Sequence, residues 1–176
     1  MSPAKTRKKI VAVIGGHTVH KEVEQLAKNL GKKLVKVADY LVCGGLSGVM
    51  KAVCQGFKAG NGVTIGIIPS YDKKNANPYV DIVIPTGLGL ARNVLVVKSA
   101  DVVVALPGEA GTLSEIAYCL QFGIPVISLT PLEVTKKQTV TTKFLTGLKS
   151  WDIPGVIKVN SIAGAVKKVK EIISSD

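Results

Sequence analysis

Short runs of β-forming residues, each closed by glycine or proline and followed by apolar residues at three-and-four spacing, recur from residue 9 to residue 174. The runs "KIVAVI", "DVVVAL" and "IPVISL" have no polar alternation, so neither face of such a strand can be left in water. A sheet buried on both faces needs helices on both sides, and strand–helix alternation along the chain supplies them. The pattern predicts one Rossmann-like α/β domain with a parallel sheet of about seven strands.

The elements can be placed one by one. Strand one is Lys9–Ile14, stopped by Gly15-Gly16, and a helix follows from about Lys21 with Val23, Leu26, Ala27, Leu30, Leu34 and Val37 on one face. Strand two is Tyr40–Val42, followed by a helix marked by Val49, Met50, Val53, Cys54 and Phe57 and closed by Gly60-Asn61-Gly62. "VTIGIIP" is strand three, "SYDKKNANPY" a polar loop without periodicity, and "VDIVI" strand four. A helix carrying Arg92 runs to about Ser99, then come strand five, a helix over Thr112–Phe122 and strand six. A further helix is expected between Gln138 and Leu148, then "GVIKV", and a last helix over Ile162–Ser174 capped by Ser161.

Hydrophobic residues make up 47% and aromatics 5%, so the core is aliphatic. No apolar run has the length of a bilayer span. The start, "MSPAKTRKK", carries no apolar segment of a secretion signal, and a cytoplasmic location is expected. Residues 1–8 are expected to be a basic, disordered arm, with residues 9–176 forming the domain. Cys43, Cys54 and Cys119 form no CxxC and are expected as reduced, mostly buried thiols. His17 and His20 form an HxxH without the further ligands of a zinc shell, so no metal site is expected.

The net charge of +11 suggests nucleic acid until it is mapped. Nine Lys/Arg lie in residues 1–37 and eight in 136–176, whereas none lies between Asp101 and Thr135, where four acids stand. The basic character is peripheral, which favours a solvated lysine surface over a nucleic-acid track.

Three turns share a design: "GGHT" after strand one (Gly15, Gly16), "CGGLSG" after strand two (Gly44, Gly45, Gly48) and "PGEAGT" after strand five (Gly108, Glu109, Gly111, Thr112). Ligands of open parallel sheets sit beyond the carboxyl ends of the strands, where a following helix offers N–H groups and its positive dipole end. Neither the G-x-G-x-x-G of a dinucleotide fold nor the GxxxxGK[ST] of a P-loop is present, so NAD use and NTP hydrolysis drop out. The turns point to an anion held by N–H groups of about Gly111 to Leu113. Arg92 is the natural cationic partner, since only it and Lys98 are cations between Lys74 and Lys136. A surface salt bridge explains Arg92 equally well. Thr112-x-x-Glu115 fits a capping box, which explains Glu115 better than catalysis does on spacing alone, though a capped carboxylate can still face the crevice.

"LPGEAGTLSE" resembles the PGGxGTxxE signature of the LONELY GUY proteins, and "VCGGLSGVMKAVCQGFKAGNGVTIGIIP" resembles the GGxxGxM block of the same superfamily, over about residues 9 to 130. The pairing Arg92-Asn93, where LONELY GUY enzymes have arginine-lysine, is closer to a small group that includes the molybdenum cofactor carrier protein. The fold of DNA-processing protein A is more distant. The resemblance implies a phosphate on the loop of Gly108, Gly111 and Thr112, with Arg92 and Glu115 as a catalytic pair if N-glycosidic bonds of nucleoside 5′-monophosphates are cleaved. It also implies a homo-oligomer, most simply a dimer. Glu109 departs from the family pattern by replacing a glycine. Facing the anion it would cost about 1–4 kcal/mol; facing solvent, only its backbone angle matters.

Three readings follow. The first is a binding protein or carrier for a phosphorylated, nucleotide-like or pterin-like molecule such as a molybdopterin-type cofactor. The second is a phosphoribohydrolase. The third, favoured by net charge alone, is single-stranded nucleic-acid binding.

Overall fold

The computed structural model describes residues 7–131 and 156–175. Seven parallel strands form one sheet in the order β4-β3-β2-β1-β5-β6-β7. They are β1 Ile10–Ile14, β2 Tyr40–Cys43, β3 Val63–Ile68, β4 Ile82–Pro85, β5 Val102–Ala105, β6 Val126–Leu129 and β7 Val156–Val159. The described helices are α1 Lys21–Leu34, α2 Val49–Lys58, α3 Asn93–Lys98, α4 Ala110–Phe122 and α5 Ile162–Ser174. The helix expected between Gln138 and Leu148 lies outside the described residues.

The apolar faces explain the layers. One core cluster joins α1, α2 and α5 to Val11, Val13, Leu41 and Cys43. A second joins α3 and α4 to the opposite residues, Ala12, Ile14, Val42, Val103 and Ala105. Alternate residues of β1 and β5 thus feed opposite faces, which is why these strands read as continuous hydrophobic runs.

The chain winds outward from β1 to β4, then returns to pair β5 beside β1, with Ile14 opposite Ala105. That reversal of strand order opens a crevice at the carboxyl ends of β1 and β5. The start of β1 is clamped by two carboxylates. Asp101 accepts the Ile10 N–H (2.7 Å) and pairs with Arg7, while Asp39 accepts the Lys9 N–H (2.8 Å) and pairs with Lys8 (3.2 Å). Residues 1–6 of the arm expected to be disordered lie outside the described residues, and Arg7 and Lys8 make these ion pairs.

Several boundaries differ from the sequence reading. Arg92 closes a short 3₁₀ turn, Gly89–Arg92, and α3 begins only at Asn93. Helix α4 begins at Ala110, two residues before Thr112. The polar loop after β3 contains a 3₁₀ turn at Lys73–Asn75 and a buried Asn77, whose Nδ2 donates to the carbonyls of Gly45 (3.1 Å) and Leu46 (2.9 Å). Ser161 caps α5 as expected, accepting the Gly164 N–H (3.2 Å). Among the described residues no helix is long and apolar enough to cross a membrane.

Helices α1 and α2 approach through glycine. A Cβ on Gly56 would stand 2.0 Å from the Lys28 carbonyl oxygen, and one on Gly31 would stand 2.3 Å from that of Val53. Glycine inside a helix ordinarily costs about 1 kcal/mol against alanine. Here backbone contact reverses the sign, so Gly56→Ala should destabilise the fold by about 1–3 kcal/mol in urea denaturation. A gain in stability would contradict this packing.

Candidate functional site

The three glycine turns follow β2, β1 and β5, which are neighbours in the sheet, and backbone hydrogen bonds tie them together. Gly16 N–H donates to the Pro107 carbonyl (3.2 Å), Val49 N–H to that of Gly16 (3.0 Å), and Ser47 Oγ to that of His17 (3.0 Å). They enclose a cavity of about 390 Å³. Of the residues singled out in the sequence, Gly15, Gly16, Gly44, Arg92, Asn93, Glu109, Gly111, Thr112 and Glu115 line it.

Gly45, Gly48 and Gly108 do not line it and serve the packing of the turns instead. Gly48, at φ +61°, leaves no room for a side chain, since a Cβ would lie 2.3 Å from the Gly16 carbonyl oxygen. A Cβ on Gly108 would lie 2.3 Å from Thr112 Oγ1 and 2.7 Å from Gly16 N, and one on Gly45 would lie 2.5 Å from Ile68 Cγ2. Gly111 is the exception: among the described residues a Cβ there would meet only Asn93 Nδ2, at 3.9 Å. Its missing side chain leaves open space on the cavity side of the first turn of α4.

The expected anion-holding donors shift by one residue from the sequence expectation. Leu113 N–H already bonds the Glu109 carbonyl (3.1 Å), so the N–H groups without an acceptor inside the helix are those of Ala110, Gly111 and Thr112. They stand at the positive end of the α4 dipole.

Arg92 is not a surface residue: it is 6% exposed. Its Nη2 donates to the Gly44 carbonyl (3.1 Å), its Nη1 to Asn93 Oδ1, and its buried Nε has no partner among the described residues. Asn93 in turn donates through Nδ2 to Ser114 Oγ (3.0 Å) and to the Gly111 carbonyl (3.3 Å). One amide thereby locks the guanidinium to the start of α4, a role that a lysine at this position would not perform.

Glu115 stands 3.9 Å from Arg92 Nη1 and is equally buried. The capping box does not form. Glu109, not Thr112, is the N-cap, and Thr112 is buried in the first turn with Glu115 in the turn that follows. Burial pushes the Glu115 carboxyl up to about 8, outweighing the opposing pull of Arg92. Burial likewise lowers the Arg92 value, which Glu115 partly restores. Near neutral pH the crevice therefore holds a guanidinium beside a carboxyl able to donate a proton.

Glu109 has an extended backbone, φ −107° and ψ −159°, so the family glycine is not needed for conformation. Its side chain is exposed at the cavity rim. Ile14, His17, Thr18, Leu46, Met50 and Leu90 complete the lining. The sequence reading did not place these in the site; His17 and Thr18 could have been found from the "GGHT" turn, whereas Leu46, Met50 and Leu90 look like ordinary core positions. Among the described residues there is no group of three metal-ligating side chains.

A parallel sheet whose strand order reverses beside a helix N-terminus and a buried guanidinium defines the Rossmann-like class of crevice proteins. Within it, the chain belongs to the SLOG cluster4 family, whose model matches residues 8–166. The molybdenum cofactor binding protein from Rippkaea orientalis is similar in structure, with TM-score 0.82 and 35% identity over 96% of this chain and 99% of that one. The molybdenum cofactor carrier protein from Chlamydomonas reinhardtii gives TM-score 0.79 and 34% identity over the same shares. A probable cytokinin riboside 5′-monophosphate phosphoribohydrolase of Oryza sativa subsp. japonica is 36% identical over 93 residues, 51% of this chain and 41% of that one. The LONELY GUY-like resemblance, and its leaning toward the carrier group, are borne out.

The raised Glu115 value fixes a pH dependence. The folded chain holds this proton more tightly than the unfolded one, whose value is near 4.5. The associated stability is complete below about 4.5 and is lost as pH rises through about 8. Glu115→Gln should therefore gain melting temperature relative to the parent between about pH 5 and about pH 8.5. A difference that stays constant over that range would contradict the buried, protonated carboxyl.

Proposed function

We propose that the crevice binds a phosphorylated pterin-like or nucleotide-like molecule, and that the chain is a carrier of a molybdopterin-type cofactor. Gly111 carries this reading. Nothing among the described residues needs a glycine there, in the first turn of a helix where alanine is about 1 kcal/mol better. Close approach of a ligand to the backbone accounts for it.

The donor set fits such a ligand. A phosphate would take the N–H groups of Ala110, Gly111 and Thr112, with the Arg92 guanidinium beside it. Ile14, Leu46, Met50 and Leu90 offer an apolar wall for a flat ring, and about 390 Å³ lies within the size range of small-molecule sites. The likeness to the molybdenum cofactor proteins of Rippkaea and Chlamydomonas supports the ring being a pterin. A protonated Glu115 adds a hydrogen-bond donor rather than a second negative charge.

Native mass spectrometry of freshly purified protein should detect a bound anionic small molecule. Gly111→Ala should lose it, with about a tenfold or greater drop in affinity for AMP or inorganic phosphate, while stability stays level or rises by about 0.5–1 kcal/mol. Equal binding by Gly111→Ala and Arg92→Ala would refute the site.

The contact between Arg92 and Glu115 (3.9 Å) favours one second reading, a phosphoribohydrolase. A carboxyl held protonated to about 8 is suited to donate to a leaving base as general acid. Incubation with AMP tests this: free adenine above blank, abolished by Glu115→Gln, is the expected outcome, and no release removes the enzyme. In either reading Glu109 opposes the anion from the rim. Glu109→Gln should tighten phosphate binding severalfold at low salt and less at high salt, as titration calorimetry would measure.

A further inference from the structure

Beneath the Gly44 floor of the crevice lie two thiols that ligand binding leaves without a role. Cys43 ends β2 and Cys54 lies on α2. Both are fully buried, and their Sγ atoms are 3.4 Å apart. Cys43 Sγ also accepts the Gly45 N–H (3.3 Å), and the carbonyl of the intervening Gly44 anchors Arg92. Cys119 sits apart, on α4 in the other core cluster.

We propose that Cys43 and Cys54 form a thiol–disulfide site whose oxidation loosens the ligand crevice. The two thiols differ in a useful way. The contact with Cys54, with help from the Gly45 N–H and the Arg92 charge, lowers the Cys43 value despite burial. Cys54, facing that sulfur in an apolar site, is pushed up and keeps its proton. Cys43, which accepts the Gly45 N–H and adjoins the cavity-lining Gly44, is assigned as the nucleophile and Cys54 as the resolving thiol. With a hydroperoxide as oxidant, Cys43 sulfur takes the terminal oxygen, the O–O bond breaks, and an alcohol (water from hydrogen peroxide) leaves. Cys54 sulfur then attacks the resulting sulfenic acid and a second water leaves. Two electrons and two protons pass from the thiols to the peroxide.

The structure couples this bond to the site. A disulfide draws the sulfurs from 3.4 Å to about 2.05 Å. That shift weakens the acceptor of Gly45 and pulls on Gly44, which packs closely on the ligand side: a Cβ there would meet Arg92 Nη2 at 2.4 Å and Met50 Sδ at 2.8 Å. Gly44 and Met50 both line the cavity, so a small oxidant reaches Cys43 most directly from the crevice and a bound ligand shields it.

The covalent step stands alone, while its effect on affinity rests on the proposed binding function. Reduced protein would be treated with hydrogen peroxide, quenched with N-ethylmaleimide and digested with trypsin, which cuts at Lys51 between the two cysteines. The expected product is a Cys43–Cys54 linked peptide pair, two hydrogens lighter than its parts, with Cys119 alkylated. Cys54→Ser should instead yield a Cys43 sulfenic acid trapped by dimedone. Oxidised protein should bind inorganic phosphate or AMP about fivefold or more weakly, restored by dithiothreitol. Alkylation of all three cysteines, or linkage through Cys119, would overturn the site. A disulfide with unchanged phosphate affinity would overturn its coupling to the crevice. Reduced protein that binds neither probe would count against the binding function alone, because the peptide linkage is read without ligand.

Discussion

The crevice depends on backbone touching backbone where three strand ends meet. Turns after β1, β2 and β5 are stacked so closely that Gly48 lies against the carbonyls of Gly16 and His17, and Gly108 against Gly15 and Gly16. Side chains at these points would push the turns apart by a bond length or more. Packed in this way, the turns hold the first turn of α4 and the guanidinium of Arg92 against the same 390 Å³ without a ligand to order them. Such preorganisation removes ordering costs that a looser site would meet at binding.

Arg92 and Glu115 then behave as one buried unit rather than a salt bridge. A fully ionised pair at 3.9 Å, with both partners more than nine-tenths covered, would pay desolvation twice. The protein instead satisfies Arg92 with neutral acceptors, the Gly44 carbonyl and Asn93 Oδ1, and lets the carboxyl keep its proton. The guanidinium charge is left uncompensated by Glu115 near neutral pH. A ligand anion can complete that balance, which a neutralised pair would not invite.

Much of this was legible in the sequence, for identifiable reasons. Continuous strands such as "VVVA" and the glycine turns encode backbone geometry directly, so the sheet, the order of elements and the shared edge follow from them. The spacing of Thr112 and Glu115 misled, because T-x-x-E suits a helix cap as well as an interior turn. Only the true start of α4 at Ala110 separates the two. Arg92 could be read equally as surface or site, since burial is a property of its neighbours rather than of its own position. Asn77, which pins Gly45 and Leu46, left no trace in a loop that has no periodicity. Neither did the meeting of Cys43 with Cys54, eleven residues apart on a strand and a helix.

The distribution of charge argues for the size of what binds. Lys32, Lys33, Lys167 and Lys170 border a separate hollow between α1 and α5, while among the described residues Arg92 is the one Lys or Arg lining the crevice. A polyanion that tracks along a surface would need its cations in a row and exposed, where its many phosphates could reach them. The crevice offers the opposite: one buried guanidinium, a short run of helix N–H groups and an acidic rim at Glu109. That arrangement repels a long chain of phosphates at the entrance. On the proposed binding function, it suits a single anionic group whose uncharged remainder can lie against Leu46, Met50 and Leu90.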